Sequence, residues 1–417
     1  MLEQLEGSQA VARTVALCRP EVIPAYPISP QTHIVEALSA MVKEGGLSPC
    51  EFINVESEYA AMSVAIGASA TGARTYTATA SQGLLYMAEA LYNASGLGLP
   101  IVMTIANRAI GAPINIWNDH SDSMSQRDSG WIQLYVESNQ EAVDTHALAF
   151  RLAEELSLPV MVCMDGFILT HAYERIDLPA QAQVDAFLPA YEPRQVLDPA
   201  DPVTIGAMVG PEAFTEVKYL AHVKQMQALD LLPELAGELG ASLGREQYPL
   251  LRSYRCEDAE TIVVALGSVL GTIEDAVDQL RARGMKIGAL GIKAFRPFPL
   301  EEIRAALAPA GHVVVIEKAL AVGIGGIVAQ NVRNALAAGG ARVSTVIAGL
   351  GGRPITTTSL IGLFEDAAAD RLQATTFLDL NTELVERELA RTRAKRRSGP
   401  HAENMLRDIG AVAAGPV

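Results

Sequence analysis

Thiol groups are scarce in this chain. Its 417 residues hold four cysteines, Cys18, Cys50, Cys163 and Cys256, which lie far apart and form no CxxC pair. Iron-sulfur clusters and zinc sites need closely spaced thiolates, so any redox metal centre that this protein serves belongs to another chain. Basic residues are in deficit as well. The 32 Lys and Arg face 48 Asp and Glu, a formal charge of −16, which leaves no field to hold a phosphate backbone and excludes nucleic acid as the main partner. Long apolar runs are missing too. The best uncharged window, Ala90 to Asn107, is broken by Asn93, Ser95, Gly96, Gly98 and Pro100, whereas a membrane span needs about 20 apolar residues in a row. The start, MLEQLEGSQ, has neither a basic stretch nor an apolar h-region, so a cytoplasmic location is expected. There is no GxSxG elbow for a nucleophilic serine, and Cys163 sits in an apolar strand pattern where a thiol is inert packing.

What is present points to a large buried core. The hydrophobic share is 49% with only 19% charged residues, and the mean hydropathy is +0.20, so a core or a subunit interface must hide apolar surface, and an oligomer is expected. At roughly 150 residues per domain the length calls for two or three domains. Apolar runs such as Glu21 to Tyr26, Thr75 to Thr79, Ile101 to Ala106 and Val160 to Met164 alternate with helical periodicity, the pattern of βαβ units and parallel sheets. Helices are expected over Ser29 to Val42, opened by a Ser-Pro pair, and over Glu58 to Ala70. The strand signal fades from Asp201 to Glu257, where the stretches Glu212 to Leu231 and Leu232 to Leu243 read as a helical connector. A second α/β unit follows. Its strands are expected over Thr261 to Leu266, Lys286 to Ile292, His312 to Glu317 and Ser344 to Ala348. Its helices are expected over Gly271 to Arg283, Leu300 to Leu307 and Ile327 to Ala337. The end is different: Arg387, Arg391, Arg393, Lys395, Arg396 and Arg397 crowd together and read as a basic helix leading into an extended arm.

Three groups of residues invite a chemical reading. The glycine runs Gly323-Ile-Gly325-Gly326 and Gly349-Leu-Gly351-Gly352-Arg353 follow expected strands, where glycine serves either a phosphate or a tight turn; neither completes a GxGxxG or Walker pattern. The loop Asn118-Asp119-His120-Ser121-Asp122 collects carboxylates and an imidazole, but adjacent residues do not readily share one ion, and capping of backbone groups is its default reading. Glu58 opens the apolar helix ESEYAAMSVAIGASATGA, where an unpaired carboxylate is costly unless a ligand uses it; Glu56 points elsewhere. Arg108 follows the strand IVMTIA, at the edge where α/β sheets place ligands, and a guanidinium there suits a carboxylate. The alternatives are a helix-start carboxylate favoured by the dipole and a surface ion pair.

Several strings read together go further. They are AYPISPQTHIVEAL at Ala25 to Leu38, NVESEYAAM at Asn54 to Met62, TATASQGLLYMAEAL at Thr77 to Leu91, ANRAIGAPINIWNDHSDSMSQRDSGWIQLY at Ala106 to Tyr135, DGF at Asp165 to Phe167, FRPFP at Phe295 to Pro299 and GLGGR at Gly349 to Arg353. In this order they resemble the alpha subunit of the multisubunit 2-oxoacid:acceptor oxidoreductases, best known as pyruvate:ferredoxin oxidoreductase.

The resemblance implies a fold and a division of the chain. The fold is α/β with parallel sheets, a thiamine-diphosphate pyrimidine-binding-type domain over residues 1–200 and a transketolase C-terminal-like domain over 258–375. The connector spans 201–257 and the basic end 376–417. The implied reaction is oxidative decarboxylation of a 2-oxo acid to an acyl-CoA. Pyruvate is the default substrate, with phenylglyoxylate or a branched-chain acid as the alternative, and a non-catalytic scaffold is the rival from another class.

No GDG motif is found in the chain, so the resemblance gives the diphosphate and Mg²⁺ to a beta subunit. It places iron-sulfur clusters and any flavin on other subunits, names gamma and ferredoxin-like delta subunits as further partners, and puts no metal here. Glu58 matches the glutamate that bonds N1′ of the aminopyrimidine, and Arg108 the arginine that holds the substrate carboxylate. Pro27 and Ser29 are implied at the cofactor, and Ile28 and Ser29 at the substrate. Ser29 stands where many relatives have Thr in YPITP, which keeps the hydroxyl and loses a methyl.

Overall fold

The computed structural model describes residues 2–337, 339–394 and 399–411. The chain opens with strand β1 (Leu2–Glu6), helix α1 (Gly7–Leu17), β2 (Val22–Ala25), α2 (Thr32–Lys43), β3 (Glu51–Asn54), α3 (Glu58–Ala70) and β4 (Thr75–Thr79). It continues through α4 (Ser81–Tyr86), α5 (Ala88–Gly96), β5 (Ile101–Asn107), α6 (Ser121–Ser125), β6 (Ile132–Tyr135), α7 (Asn139–Leu156), β7 (Val160–Asp165), β8 (Tyr173–Asp177) and α8 (Gln181–Phe187). After α9 (Phe214–Leu243) come β9 (Leu251–Tyr254), β10 (Thr261–Ala265), α10 (Val269–Arg281), β11 (Ile287–Ile292), β12 (Ala294–Arg296), α11 (Leu300–Leu307) and β13 (His312–Glu317). The chain closes with α12 (Val328–Ala335), β14 (Arg342–Ile347), α13 (Thr357–Ala368), β15 (Thr375–Phe377), α14 (Thr382–Ala394) and α15 (His401–Asp408).

Two sheets carry the fold, in the orders β12-β6-β7-β5-β4-β2-β3 and β15-β14-β13-β10-β11-β9, while β1 and β8 form a small antiparallel pair. All pairs within the two large sheets are parallel except the edges β12 on β6 and β9 on β11. The α/β class with parallel sheets is thus as expected. Strands such as β5 and β7 are apolar on both faces because helices cover both sides, and every residue of each is buried. Among the described residues no helix is long and apolar enough to cross a membrane.

The structure departs from the sequence reading at several points. Helix α2 begins at Thr32 rather than at Ser29, because the buried Gln31 side chain donates to the Tyr26 carbonyl at 3.0 Å and holds residues 26–31 as a loop. The two stretches read as separate helices between 212 and 243 are one, α9, which runs through Pro233. Its stripe Ala228, Leu232, Leu235, Ala236 and Leu239 is buried against α7 and α8, and this packing outweighs the hydrogen bond that proline cannot make. Strand β9, inside the stretch read as a connector, is an edge of the second sheet. The FRPFP string begins in β12, which crosses back to pair with β6 of the first sheet. The extended arm is instead helix α15 over 401–408, folded onto α14 by Arg391 with Asp408 at 2.9 Å and His401 with Glu388 at 2.6 Å. Lys395, Arg396 and Arg397 lie outside the described residues.

One buried cluster ties the two sheets together. Asp165, at the end of β7, accepts from Lys318 Nζ at 2.9 Å, from His120 Nε2 at 2.6 Å, from the backbone N–H of Ser268 at 3.0 Å and from Asn118 Nδ2 at 3.2 Å. Lys318 and Ser268 follow β13 and β10, so the second unit supplies half of these donors. Burial works against the ionised carboxyl, but Lys318 and His120 beside it prevail and hold Asp165 well below the usual carboxylate range.

Stability from this depressed group is present above the ordinary carboxylate pKa of about 3.9 and lost as pH falls below it. Replacing Lys318 by Met leaves a buried carboxylate short of its main cation, and should cost about 3–5 kcal/mol in denaturant unfolding at pH 7. A Lys318→Met protein as stable as the wild type would show that Asp165 does not depend on this ion pair.

Candidate active site

The residues singled out in the sequence gather at the C-terminal edge of the first sheet, where β2, β3, β4, β5 and β7 all end. Glu58 is the first residue of α3, and its neighbour Ser57 caps the helix by accepting from Ala60 N at 3.2 Å. Glu58 is only 8% exposed, while Glu56 is exposed. Among the described residues its carboxylate has no hydrogen bond or ion pair. Thr79, at the end of β4, also has a buried hydroxyl without a partner. Both face Gly83 of α4: a Cβ there would stand 2.5 Å from Thr79 Oγ1 and 2.7 Å from Glu58 Oε1, so only glycine lets this helix approach the carboxylate.

Arg108 and Ser29 meet directly. The guanidinium donates from Nη1 to the Ser29 carbonyl at 2.9 Å and from Nε to the Asn115 carbonyl at 3.4 Å, while Nη2 is free among the described residues. Arg108 is 6% exposed. Burial lowers its pKa from the ordinary value, against the pull of nearby Asp122. Ser29 and Pro27 are exposed and Ile28 is half-buried; Ile28 helps the turn by accepting from Gln31 N at 3.0 Å. Pro27 and Ile28 share the loop with Ser29 but make no hydrogen bond to Arg108 or Glu58.

Asp122, read from its loop as a backbone cap, is the hub of this edge in the structure. Its buried carboxylate accepts from the backbone N–H groups of Ser81 at 2.9 Å, Arg108 at 3.0 Å and Ser123 at 2.7 Å, and from Asn107 Nδ2 at 2.8 Å. It therefore pins the ends of β4 and β5 to each other. Ser81 has φ +52, a left-handed conformation that costs a non-glycine residue roughly 1–3 kcal/mol and that the Asp122 bond helps to offset. Such strain beside a site is a signal that backbone angles alone provide. Burial pushes the Asp122 carboxyl up to about 6 although four N–H donors favour its ionised form.

Other motifs resolve as packing. Gly166 of the DGF string lies where a Cβ would meet Asn107 O at 2.5 Å and Pro30 Cγ at 2.7 Å, which locks the turn after β7 against the loop that carries Ser29. The GLGGR run is a turn. Gly351 donates to Asp119 Oδ2 at 3.1 Å and accepts from Asn115 Nδ2 at 3.2 Å, so the second unit braces the loop beyond Arg108. The phosphate alternative for Gly323 to Gly326 meets an obstacle, since the Glu317 carboxylate already takes the backbone N–H groups of Ile327, Val328 and Ala329 at the start of α12.

Comparison with known proteins agrees with this geometry. A family described as "Pyruvate flavodoxin/ferredoxin oxidoreductase, thiamine diP-bdg" matches residues 13–233, and "Pyruvate:ferredoxin oxidoreductase core domain II" matches residues 259–360. Pyruvate synthase subunit PorA of Methanosarcina barkeri is 47% identical over 390 residues, covering 91% of this chain and 97% of that protein. Subunit PorA of Methanothermobacter thermautotrophicus is 45% identical, covering 85% and 92%. Ketoisovalerate oxidoreductase subunit VorA of Pyrococcus abyssi is 38% identical, covering 87% and 92%. A solved structure of 2-oxoglutarate:ferredoxin oxidoreductase from Magnetococcus marinus superposes with a TM-score of 0.67 at 20% identity, over 88% of this chain and 65% of that one, a likeness of fold.

The raised carboxyl of Asp122 sets a sign for stability. A carboxyl near 6 when folded and about 3.9 when unfolded contributes stability below 3.9 that is lost as pH rises through about 6, up to about 3 kcal/mol at 1.36 kcal/mol per unit. The stability difference between wild type and Asp122→Asn should therefore grow as pH falls from 7.5 to about 4.5. Urea unfolding of both proteins at the two pH values measures it, and a difference that shrinks would place the Asp122 carboxyl below the usual range.

Proposed function

The chain belongs to the pyruvate flavodoxin/ferredoxin oxidoreductase family, and on that footing we propose that it is the alpha subunit of a thiamine-diphosphate-dependent 2-oxoacid oxidoreductase that forms acyl-CoA and CO₂. Pyruvate is the substrate this reading favours, because identity is 44–47% to pyruvate synthase subunits and 38% to ketoisovalerate oxidoreductase subunits. A pocket difference of one methyl, as at Ser29, shifts preference by only about 1–3 kcal/mol, so a branched-chain acid is the second reading. In this reading residues 1–200 form the cofactor-facing unit and the second sheet has a structural role.

The observation that carries the proposal is the buried, unpartnered carboxylate of Glu58. An aminopyrimidine ring offers a nitrogen that such a group would bond, so the residues present fit this cofactor, and the vacant Thr79 hydroxyl lies beside it. Thiamine diphosphate, when bound, supplies the carbon nucleophile and the electron sink for decarboxylation. Glu58 would hold a proton at the ring nitrogen. Arg108 would bind the substrate carboxylate through its free Nη2, which restores a partner to a desolvated cation, and Ser29 would present its hydroxyl from the exposed loop that Arg108 anchors. A scaffold subunit has no use for either buried charge.

The partner subunits complete this picture. The Mg²⁺ and diphosphate fall to a beta subunit, and iron-sulfur clusters, with any flavin, to gamma and delta subunits. Large apolar side chains at the same sheet edge support a partner face there: Tyr26, Tyr59, Tyr86, Ile114 and Trp117 are 38%, 37%, 59%, 75% and 53% exposed.

The co-purified complex, assayed for CoA-dependent dye reduction with pyruvate, 2-oxoisovalerate, 2-oxoglutarate and phenylglyoxylate, should prefer pyruvate. A complex without bound thiamine diphosphate, inactive with every acid even when the cofactor is added, would sink the enzyme reading. Glu58→Gln should retain cofactor but lose most of the C2–H exchange seen by NMR, and unchanged exchange would remove Glu58 from its role. Arg108→Ala should raise KM and lower kcat together, by roughly 30- to 150-fold in kcat/KM, the loss of a charged hydrogen bond.

A further inference from the structure

Away from the site just described, three segments bring a carboxylate and two imidazoles together. Glu6 ends β1, His33 lies in the first turn of α2 and His171 lies in the turn between β7 and β8. One ligating atom of each comes within 4.8 Å of the other two. His33 Nδ1 is 2.6 Å from Glu6 Oε1, and the rings of His33 and His171 lie tilted by 33° with centroids 4.8 Å apart. His171 Nδ1 is 2.7 Å from Thr170 Oγ1, and that hydroxyl oxygen is itself held by Phe167 N–H at 2.8 Å. One ring nitrogen of His171 is thus pinned by a fixed oxygen, the kind of support that orients metal-binding histidines.

The charges suit a cation. The Glu6 side chain is 12% exposed and brings the negative charge, while His33 is 44% exposed and leaves an approach from solvent. We propose that Glu6, His33 and His171 bind a divalent transition-metal ion of the zinc class through two nitrogens and one oxygen, with at least one position left to water. Imidazole nitrogen selects such ions over Mg²⁺, which prefers oxygen ligands, so this is a different site from that of the cofactor's magnesium. Donors at about 2.1 Å from one ion stand roughly 3.4 Å apart, so the wider spacings of up to 4.8 Å close inward while His33 Nδ1 and Glu6 Oε1, now at 2.6 Å, move apart by about 0.8 Å to admit the ion.

The site would tie together elements that frame the substrate loop. His33 is four residues beyond Ser29, and a series of tilted ring contacts runs from His33 through His171 and Phe167 to Trp117, with centroid spacings of 4.8, 4.8 and 4.9 Å. Trp117 in turn accepts from the backbone N–H of Ala109, next to Arg108.

The test uses the full chain, stripped with a chelator and titrated with Co²⁺, whose visible absorption bands report nitrogen and oxygen ligation, followed by competition with Zn²⁺. Wild type should take up one equivalent, and Zn²⁺ should displace it. His33→Gln and His171→Gln should each bind more weakly than the 10- to 100-fold loss typical when only a supporting partner is removed, and the double variant should show no saturable site. Glu6→Gln, which keeps both rings, should weaken binding as well and serves if a histidine variant does not fold, with circular dichroism of each metal-free variant as the check. The proposal is overturned if wild type shows no saturable uptake, or if the double variant binds as tightly as wild type.

Discussion

The ion pair between Asp165 and Lys318 is the constraint on which the rest of the structure depends. A carboxylate and an ammonium this deeply buried are tolerable only together, and they come from different sheets. Their pairing fixes the second unit against the first, with Ser268 and His120 filling the remaining acceptor positions of Asp165. From that docking follows the contact of Gly351 with Asp119 and Asn115, which braces the loop beyond Arg108. The second unit thereby braces the candidate site through the loop beyond Arg108.

Asp122 does within the first unit what Asp165 does between the two. By accepting one backbone N–H from each of two strand ends, and the Asn107 side-chain amide besides, it sets the positions from which Arg108 and the Ser81 turn project. In the proposed reading the resulting edge is half a site. Glu58 and Arg108 are buried charges held by short-range packing, yet each keeps hydrogen-bonding capacity that the described residues leave unused, and the exposed tyrosines and Trp117 around them present an apolar rim. An edge with unspent polar groups and uncovered aromatic surface is what a subunit looks like when its active site is completed by a partner.

Much of the fold was legible in the sequence, for a physical reason. Central parallel strands are covered on both faces, so β4, β5, β7, β11 and β13 appear as short apolar runs that few other structures would bury. The boundaries of α11 and β13 are read to the residue. The misses share a cause. The start of α2 is decided by the Gln31 side chain, the passage of α9 through Pro233 by packing on α7, the return of β12 by pairing with β6, and the fold of α15 by ion pairs to α14. Each depends on one specific contact, from the Gln31 bond to Tyr26 within its own loop to the pairing of β12 with β6 across the two units, which no local pattern reports.

The candidate site divides in the same way. By itself the sequence determined the types and order of the chemical groups: a carboxylate at the head of an apolar helix, a guanidinium after a buried strand, and a loop with a hydroxyl between two prolines. Only the tertiary structure decided that Arg108 would rest on the Ser29 carbonyl, that Glu58 would be left without a partner against Gly83, and that Asp122 would hold the strand ends together. Propensity and periodicity act over a few residues, whereas the burial and pairing of charge that set these contacts act across the sheet, between residues as much as 79 positions apart.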